Sequence, residues 1–267
     1  MILDIYNDSI KYSIKNSKSL LYFGLTLFST FIIWMAYILI LIHYQDANLN
    51  LKFASLIVPS LLTLIPIFLF LGYEYRILEI STHGMINGTD KVPEFNNLKE
   101  MLINGVKIFL VKFVYFAVPI IILAVTLDNI SGGIIQTAGA TISMILAIIL
   151  YFVSFISLSN MAAHDNFKKA FDFKEIKEVI ITIGPARYVL FYIGLLIIEC
   201  VIAFVLFAIT MIAMMIIGTS GINTLTSPEP LWWAMFFLTN LIFSLIIALA
   251  ELFKTRGIGL IYEPVEE

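Results

Sequence analysis

Along this chain apolar and polar residues come in long blocks rather than in alternation. Six blocks are apolar for about 20 residues or more, approximately Ser19 to His43, Phe53 to Leu71, Gly105 to Leu127, Ile134 to Leu158, Tyr188 to Gly218 and Leu231 to Leu252. A hydrocarbon core roughly 30 Å thick is crossed by about 20 helical residues, so each block predicts one transmembrane helix. A membrane-spanning barrel would instead show short alternating segments, because lipid leaves no backbone group unpaired except in a helix or a closed barrel. Pro59 and Pro66 in the second block and Pro119 in the third predict bent helices, since neighbouring helices re-satisfy the backbone groups a proline frees.

The polar stretches between blocks have a period of their own. Residues 171–183, FDFKEIKEVIITI, open with Asp172 and Glu175 in a capping-box spacing and then place Ile176, Val179, Ile180 and Ile183 on one helical face. Residues 95–106, FNNLKEMLINGV, repeat the plan with Asn97 and Glu100 as the cap and Leu98, Met101 and Leu102 on the face. At the N-terminus Leu3, Tyr6, Ile10 and Ile14 make an apolar stripe beside Lys11, Lys15 and Lys18. Each of the three stretches predicts an amphipathic helix lying in the membrane interface, its basic residues toward anionic headgroups. LKEMLI at 98–103 aligns without a gap on IKEVII at 176–181. The expected fold is therefore all-α, with three tandem units of interfacial helix plus helical hairpin at approximately 1–80, 94–165 and 171–256. All belong to one membrane domain over 1–267, with a short C-terminal tail at 257–267.

Charge sets the orientation. Of the 16 lysines and arginines, all but Lys52 fall in the N-terminal segment, in or beside the second-to-third and fourth-to-fifth connections, or after the sixth block. The positive-inside rule then demands an even number of spans with both termini cytoplasmic, in a cell membrane. Trp232 and Trp233 fall where the sixth span enters from the outer face, as an aromatic belt requires. Asn129-Ile130-Ser131 is a glycosylation-type triplet on the side expected outside, whereas Asn87-Gly88-Thr89 is expected inside.

Composition agrees: 60% of residues are hydrophobic and 13% charged, and the mean hydropathy is +0.98, more apolar side chain than a soluble core of this size buries. The first block is too long for the core of a cleavable signal peptide and is expected to stay as an anchor. The single cysteine, Cys200, allows neither an internal disulfide nor a thiolate metal cluster.

Arg76 followed by Gly84 or Gly88, then VPEFNN at 92–97, Gly105-Val106-Lys107 and Tyr115, resembles the signature of the archaeal and bacterial membrane family catalogued as domain of unknown function 4013. AFDFKEI at 170–176, with Gly184 and Arg187-Tyr188, resembles that family's second characteristic region. Val92 stands where the family usually has Leu, and Asn96 where it has Asp. The resemblance covers nearly the whole chain and singles out Pro93, Glu94, Phe95, Gly105 and Tyr115 as motif positions. It implies the membrane architecture and no particular chemistry. A more distant likeness, in layout alone, is to the membrane regions attached to some glycerophosphodiester phosphodiesterases.

Candidate chemistry is sparse. Glu199 falls about 16 Å into the fifth span from its basic side, near mid-bilayer. A carboxylate there has to be protonated, paired or wet. It is read either as a neutral acid bonded to Asn240 or Ser143, or, with Asn240, as a proton or cation site. Lys112 reads as a snorkelling residue, and Gln136, Gly139 and Ser143 as a small-residue packing face. Glu74, Arg76 and Glu79 read as an interfacial salt-bridge set. Arg76, Lys107, Lys112 and Arg187 are the possible lipid-headgroup contacts. Pro93 and Phe95 read as a helix entry anchored in the interface. His43, His83 and His164 lack ligand spacing, so no metal site is expected, and no catalytic triad order or phosphate loop is present.

Three functions fit these residues. The first is a non-catalytic lipid-interacting scaffold or a subunit of a membrane assembly, with membrane lipids and a membrane protein or a second copy as partners, and with no cofactor or nucleic acid. The second is a small-solute or ion transporter using Glu199. The third is a lipid-modifying protein, which lacks the convergent polar groups such chemistry needs. The first is preferred because a six-span transporter should carry more intramembrane polar residues than these.

Overall fold

A computed structural model describes residues 1–44, 48–127, 133–219 and 230–262. Among these residues the regular elements are all helical: α1 Ile2–Ser13, α2 Ser17–His43, α3 Leu49–Ser55, α4 Ile57–Thr82, α5 Leu98–Leu127, α6 Ile134–Ala163, a 3₁₀ turn Phe167–Phe171, α7 Phe173–Ile183, α8 Pro185–Thr219 and α9 Pro230–Ile261. Six helices are long and apolar enough to cross a membrane, one for each apolar block. Asn129-Ile130-Ser131 lies outside the described residues.

Local chemistry explains the boundaries. Asn16 turns back to accept the Ser19 amide at the start of α2, and Asp172 does the same for Glu175 at the start of α7. Gly184, at φ +90°, ends α7, and Pro185 opens α8, the positions these residues favour. Pro66 and Pro119 lie inside α4 and α5.

The helices run on past the apolar blocks at the end of the bundle where α1 packs on the last turns of α9. There α4 continues from Leu71 to Thr82, α5 begins at Leu98 rather than Gly105, and α9 continues to Ile261. This corrects two expectations. Residues 95–106 do not form a separate interfacial helix, because from Leu98 they are the first turns of α5. The tail expected at 257–267 is helical as far as Ile261, because α9 continues to that residue.

The buried core gathers at this basic end. One cluster joins Ile5 of α1, Leu78 of α4, Val111 of α5, Met161 of α6, Val179 of α7 and Tyr192 of α8; a second joins Phe23, Tyr73, Met101 and Leu252. The apolar face of α7, Ile176, Val179 and Ile183, is buried in the first of these clusters. It therefore packs on protein, not on lipid as its periodicity suggested. Toward the opposite end the apolar side chains point outward, with Ile121 60% and Phe204 71% exposed, as lipid-facing residues do.

Glycine sets the closest helix approach. A Cβ on Gly72 would overlap the carbonyl oxygen of Met101, and one on Gly105 would overlap that of Phe68, so α4 and α5 touch backbone to backbone at two levels. A Cβ on Gly139 would overlap Thr126, and Ser143 donates to the carbonyl of Pro119 at 2.7 Å. These two contacts seat α6 on α5 as the small-residue face predicted.

Candidate functional site

The segment 92–97 straps the basic end of α4. Arg76, buried at 8% exposure, donates from Nη1 to the Asn96 carbonyl at 2.8 Å, the Asn96 Oδ1 at 2.9 Å and the Glu94 carbonyl at 3.3 Å. Its Nη2 meets Glu100 at 3.1 Å. The Pro93 carbonyl accepts from Tyr73 at 2.8 Å and from Ser19 at 3.0 Å. Phe95 then lies against the rings of Tyr73 and Tyr22. Each donor that the buried guanidinium points into the strap finds an oxygen, which removes the penalty for burying it. Arg76 is thus a tie inside the protein, and Glu100 serves it instead of capping a separate helix.

Above the strap lies a layer of charge. Lys112 reaches both carboxylate oxygens of Glu74 at 3.1 Å, so it is paired, not merely snorkelling. Glu74, Arg76 and Glu79 do not bridge one another as expected, because Glu74 turns to α5 and Arg76 to the strap. Lys254 lies 2.6 Å from Glu251 and 3.5 Å from Glu199. Tyr151 of α6 lies within electrostatic reach of Lys254, Glu199, Glu251 and Glu74. Glu199 is therefore not bonded to Asn240 or Ser143. Asn240 donates within its own helix to Phe236 at 2.8 Å, about 21 Å along α9 from Lys254 at 1.5 Å per residue, so the two candidate ion-site residues do not meet.

A third arrangement lies at the very end of the bundle. Arg256, 1% exposed, bonds Asp8 of α1 at 2.9 Å and Asp90 at 2.7 Å, and stands 4.7 Å over the Tyr12 ring. Asp8 also accepts the Asn87 amide at 2.8 Å. Burial pushes the Tyr12 hydroxyl's pKa up, against the pull of Arg256, so it remains a neutral donor, 3.5 Å from the Lys91 carbonyl. The sequence pattern singled out neither Asp8, Asp90 nor Glu251 and gave Lys254 and Arg256 no partners. No spacing rule links residues that meet across most of the chain.

The remaining predicted positions are structural neighbours. Lys107 stands 5.7 Å over the Tyr75 ring. Tyr115 donates to the Ala170 carbonyl at 2.9 Å and stacks on Phe171, holding the 3₁₀ turn against α5. Arg187 is exposed in the first turn of α8. Among the described residues no group of three His, Cys, Asp or Glu side chains is placed to hold a metal.

Eight lysines at this end, at 11, 15, 18, 91, 99, 168, 174 and 177, are exposed and carry no ion pair among the described residues, Lys15 donating only to the Asp90 carbonyl at 2.7 Å. The buried Arg76 and Arg256 and the half-buried Lys112 and Lys254 are each paired with a carboxylate inside the protein, so the lysines left without one are those that face outward.

Six apolar helices with a packed, charge-tied end define a polytopic α-helical membrane protein. The chain belongs to the family described as Protein of unknown function (DUF4013), which matches residues 55–212. That interval holds the Gly72, Arg76, strap and Gly105 constellation. No curated protein and no solved structure matches the chain.

Proposed function

We propose that this protein is a non-catalytic, lipid-interacting scaffold, or the lipid-binding subunit of a membrane assembly, in the cell membrane with both termini cytoplasmic. The carrying observation is the division of positive charge, in which the buried and half-buried cations are paired with carboxylates inside the protein and the exposed lysines are not. Exposed apolar residues accompany those lysines. Leu3 and Ile10 of α1 and its C-cap residue Ile14 are 54–80% exposed and flank Lys11, and Phe173 and Ile181 of α7 are about 60% exposed beside Lys174 and Lys177. A cationic rim with an apolar edge suits the anionic inner leaflet, where each lysine contributes about 1 kcal/mol. The three-unit layout is part of this reading. It is supported by α1 and α7, each preceding a hairpin, and by LKEMLI and IKEVII both being helical at the basic end, although the former is fused to its span. The sparsely covered outer face of α8 offers room for a partner or a second copy.

Spin-labelled lipids in reconstituted membranes test the reading. The protein boundary should select anionic over zwitterionic phospholipid, and replacing Lys11, Lys18, Lys174 and Lys177 with Gln should erase the selection. Equal selection by that variant, or proton or cation flux through proteoliposomes that Glu199→Gln abolishes, would overturn it.

A further inference from the structure

Between α2 and α4 the structure holds a cleft of about 500 Å³. Its walls are Leu25 and Ile33 on one side and Leu62 and Leu69 on the other, and Tyr22 and Phe95 stand at its basic end, their ring centroids 6.0 Å apart. The end is rigidly built. Phe95 belongs to the strap that Arg76 holds, and Ser19, one turn before Tyr22, donates to the strap at Pro93.

From Tyr22 to Ile33 the cleft runs about 16 Å along α2, half of a hydrocarbon core roughly 30 Å thick, which is the depth of one leaflet. A single hydrocarbon chain, about 4–5 Å across, fills roughly 300 Å³ over the same length. Lys18 precedes Tyr22 by four residues and so stands over the same helical face. It is exposed and without an ion pair among the described residues, and the Tyr22 hydroxyl makes no hydrogen bond among them. A cation and a free donor therefore stand at the mouth of a leaflet-deep apolar slot.

From this we infer that the cleft is a specific site for one phospholipid of the leaflet at the basic end. One acyl chain lies between α2 and α4, and the phosphate sits at Lys18 and Tyr22. The inference rests on the lipid-interacting reading and narrows it to one address, giving the Pro93-Glu94-Phe95 motif the task of shaping the mouth.

Native mass spectrometry of the full chain in mild detergent, with phosphate analysis of the extracted lipid, is the test. Wild-type protein should keep one phospholipid. Leu62→Trp or Leu25→Trp, both at partly exposed positions that a larger ring would fill into the slot, should lower retention roughly tenfold, while Phe204→Trp on the lipid face of α8 should not. Lys18→Gln should weaken retention of phospholipid specifically. Equal retention in the slot-filled variants, a phosphorus-free lipid indifferent to Lys18, or a dimer that Leu62→Trp dissociates would each overturn the site. Anionic selection at the boundary without any retained lipid would remove this site and leave the broader reading standing.

Discussion

Arg256 of α9 and Asp8 of α1 lie 248 positions apart in sequence and 2.9 Å apart in space, closing the first helix onto the last. With Asp90 on the other edge of the guanidinium, this pair fastens α1, the connection after α4 and the end of α9 at one point.

Removing one member strands the other. Asp8→Ala leaves a fully buried arginine with one carboxylate fewer, a change that costs about 3 kcal/mol when a buried pair is broken. The melting temperature in detergent should fall clearly for Asp8→Ala and for Arg256→Gln. Joining Asp8→Leu to Arg256→Met should recover part of the loss, because an apolar pair needs no desolvation. No change in the single variants would show that the pair is not buried in the folded protein.

The α4–α5 contact depends on the absence of two side chains. Gly72→Ala and Gly105→Ala should each force the helices apart and destabilise by about 1–3 kcal/mol through overpacking, read as loss of monodisperse protein in fluorescence-detected size exclusion. Wild-type behaviour in both would mean the backbones are not in contact.

Glu199 and Glu74 should respond differently to amidation. Glu199→Gln leaves Lys254 with Glu251 at 2.6 Å and should cost less than about 1 kcal/mol. Glu74→Gln deprives Lys112 of its partner in a buried setting and should cost about 2–3 kcal/mol. Thermal unfolding of the two variants side by side decides the order, and the reverse order would move the critical carboxylate to Glu199.

Orientation is testable at two exposed ends in a Cys200→Ala background. A cysteine at Met85, on the basic end, should resist an impermeant thiol reagent in intact cells and react in inverted vesicles. One at Tyr44, at the opposite end, should do the reverse. Swapped accessibility would place the termini outside.

Asp172 gives α7 an acid-sensitive start. Its carboxyl is held below the usual carboxylate range chiefly by the hydrogen bond from the Glu175 amide, with Lys169 adding to the effect. A lowered folded value means the contribution is present above the unfolded value of about 3.9 and is lost as pH falls through the folded one. Amide exchange at Glu175 should quicken in that acid window, whereas Asp172→Asn should keep a cap whose protection no longer depends on pH there.

By itself the sequence determined the class and the crossing number. A helix satisfies its backbone bonds internally, as hydrocarbon requires, so each helical span is written locally, in about 20 consecutive residues. Asp172 as a cap was equally local, whereas the motif around Pro93 read as a helix entry, and only its partners Arg76, Tyr73 and Ser19 show it as a strap. Tertiary structure decided everything that depends on distance: that Arg76 binds Asn96 and Glu100, that Lys254 reaches Glu199, that α7 turns Ile176 and Val179 onto protein, and that residues 98–106 continue into α5. An amphipathic period says that a face will be covered but not by what, since lipid and a protein core are equally apolar. A charge in a sequence says that a counter-charge is needed, and only the folded chain, bringing Asp8 to Arg256, says which one answers.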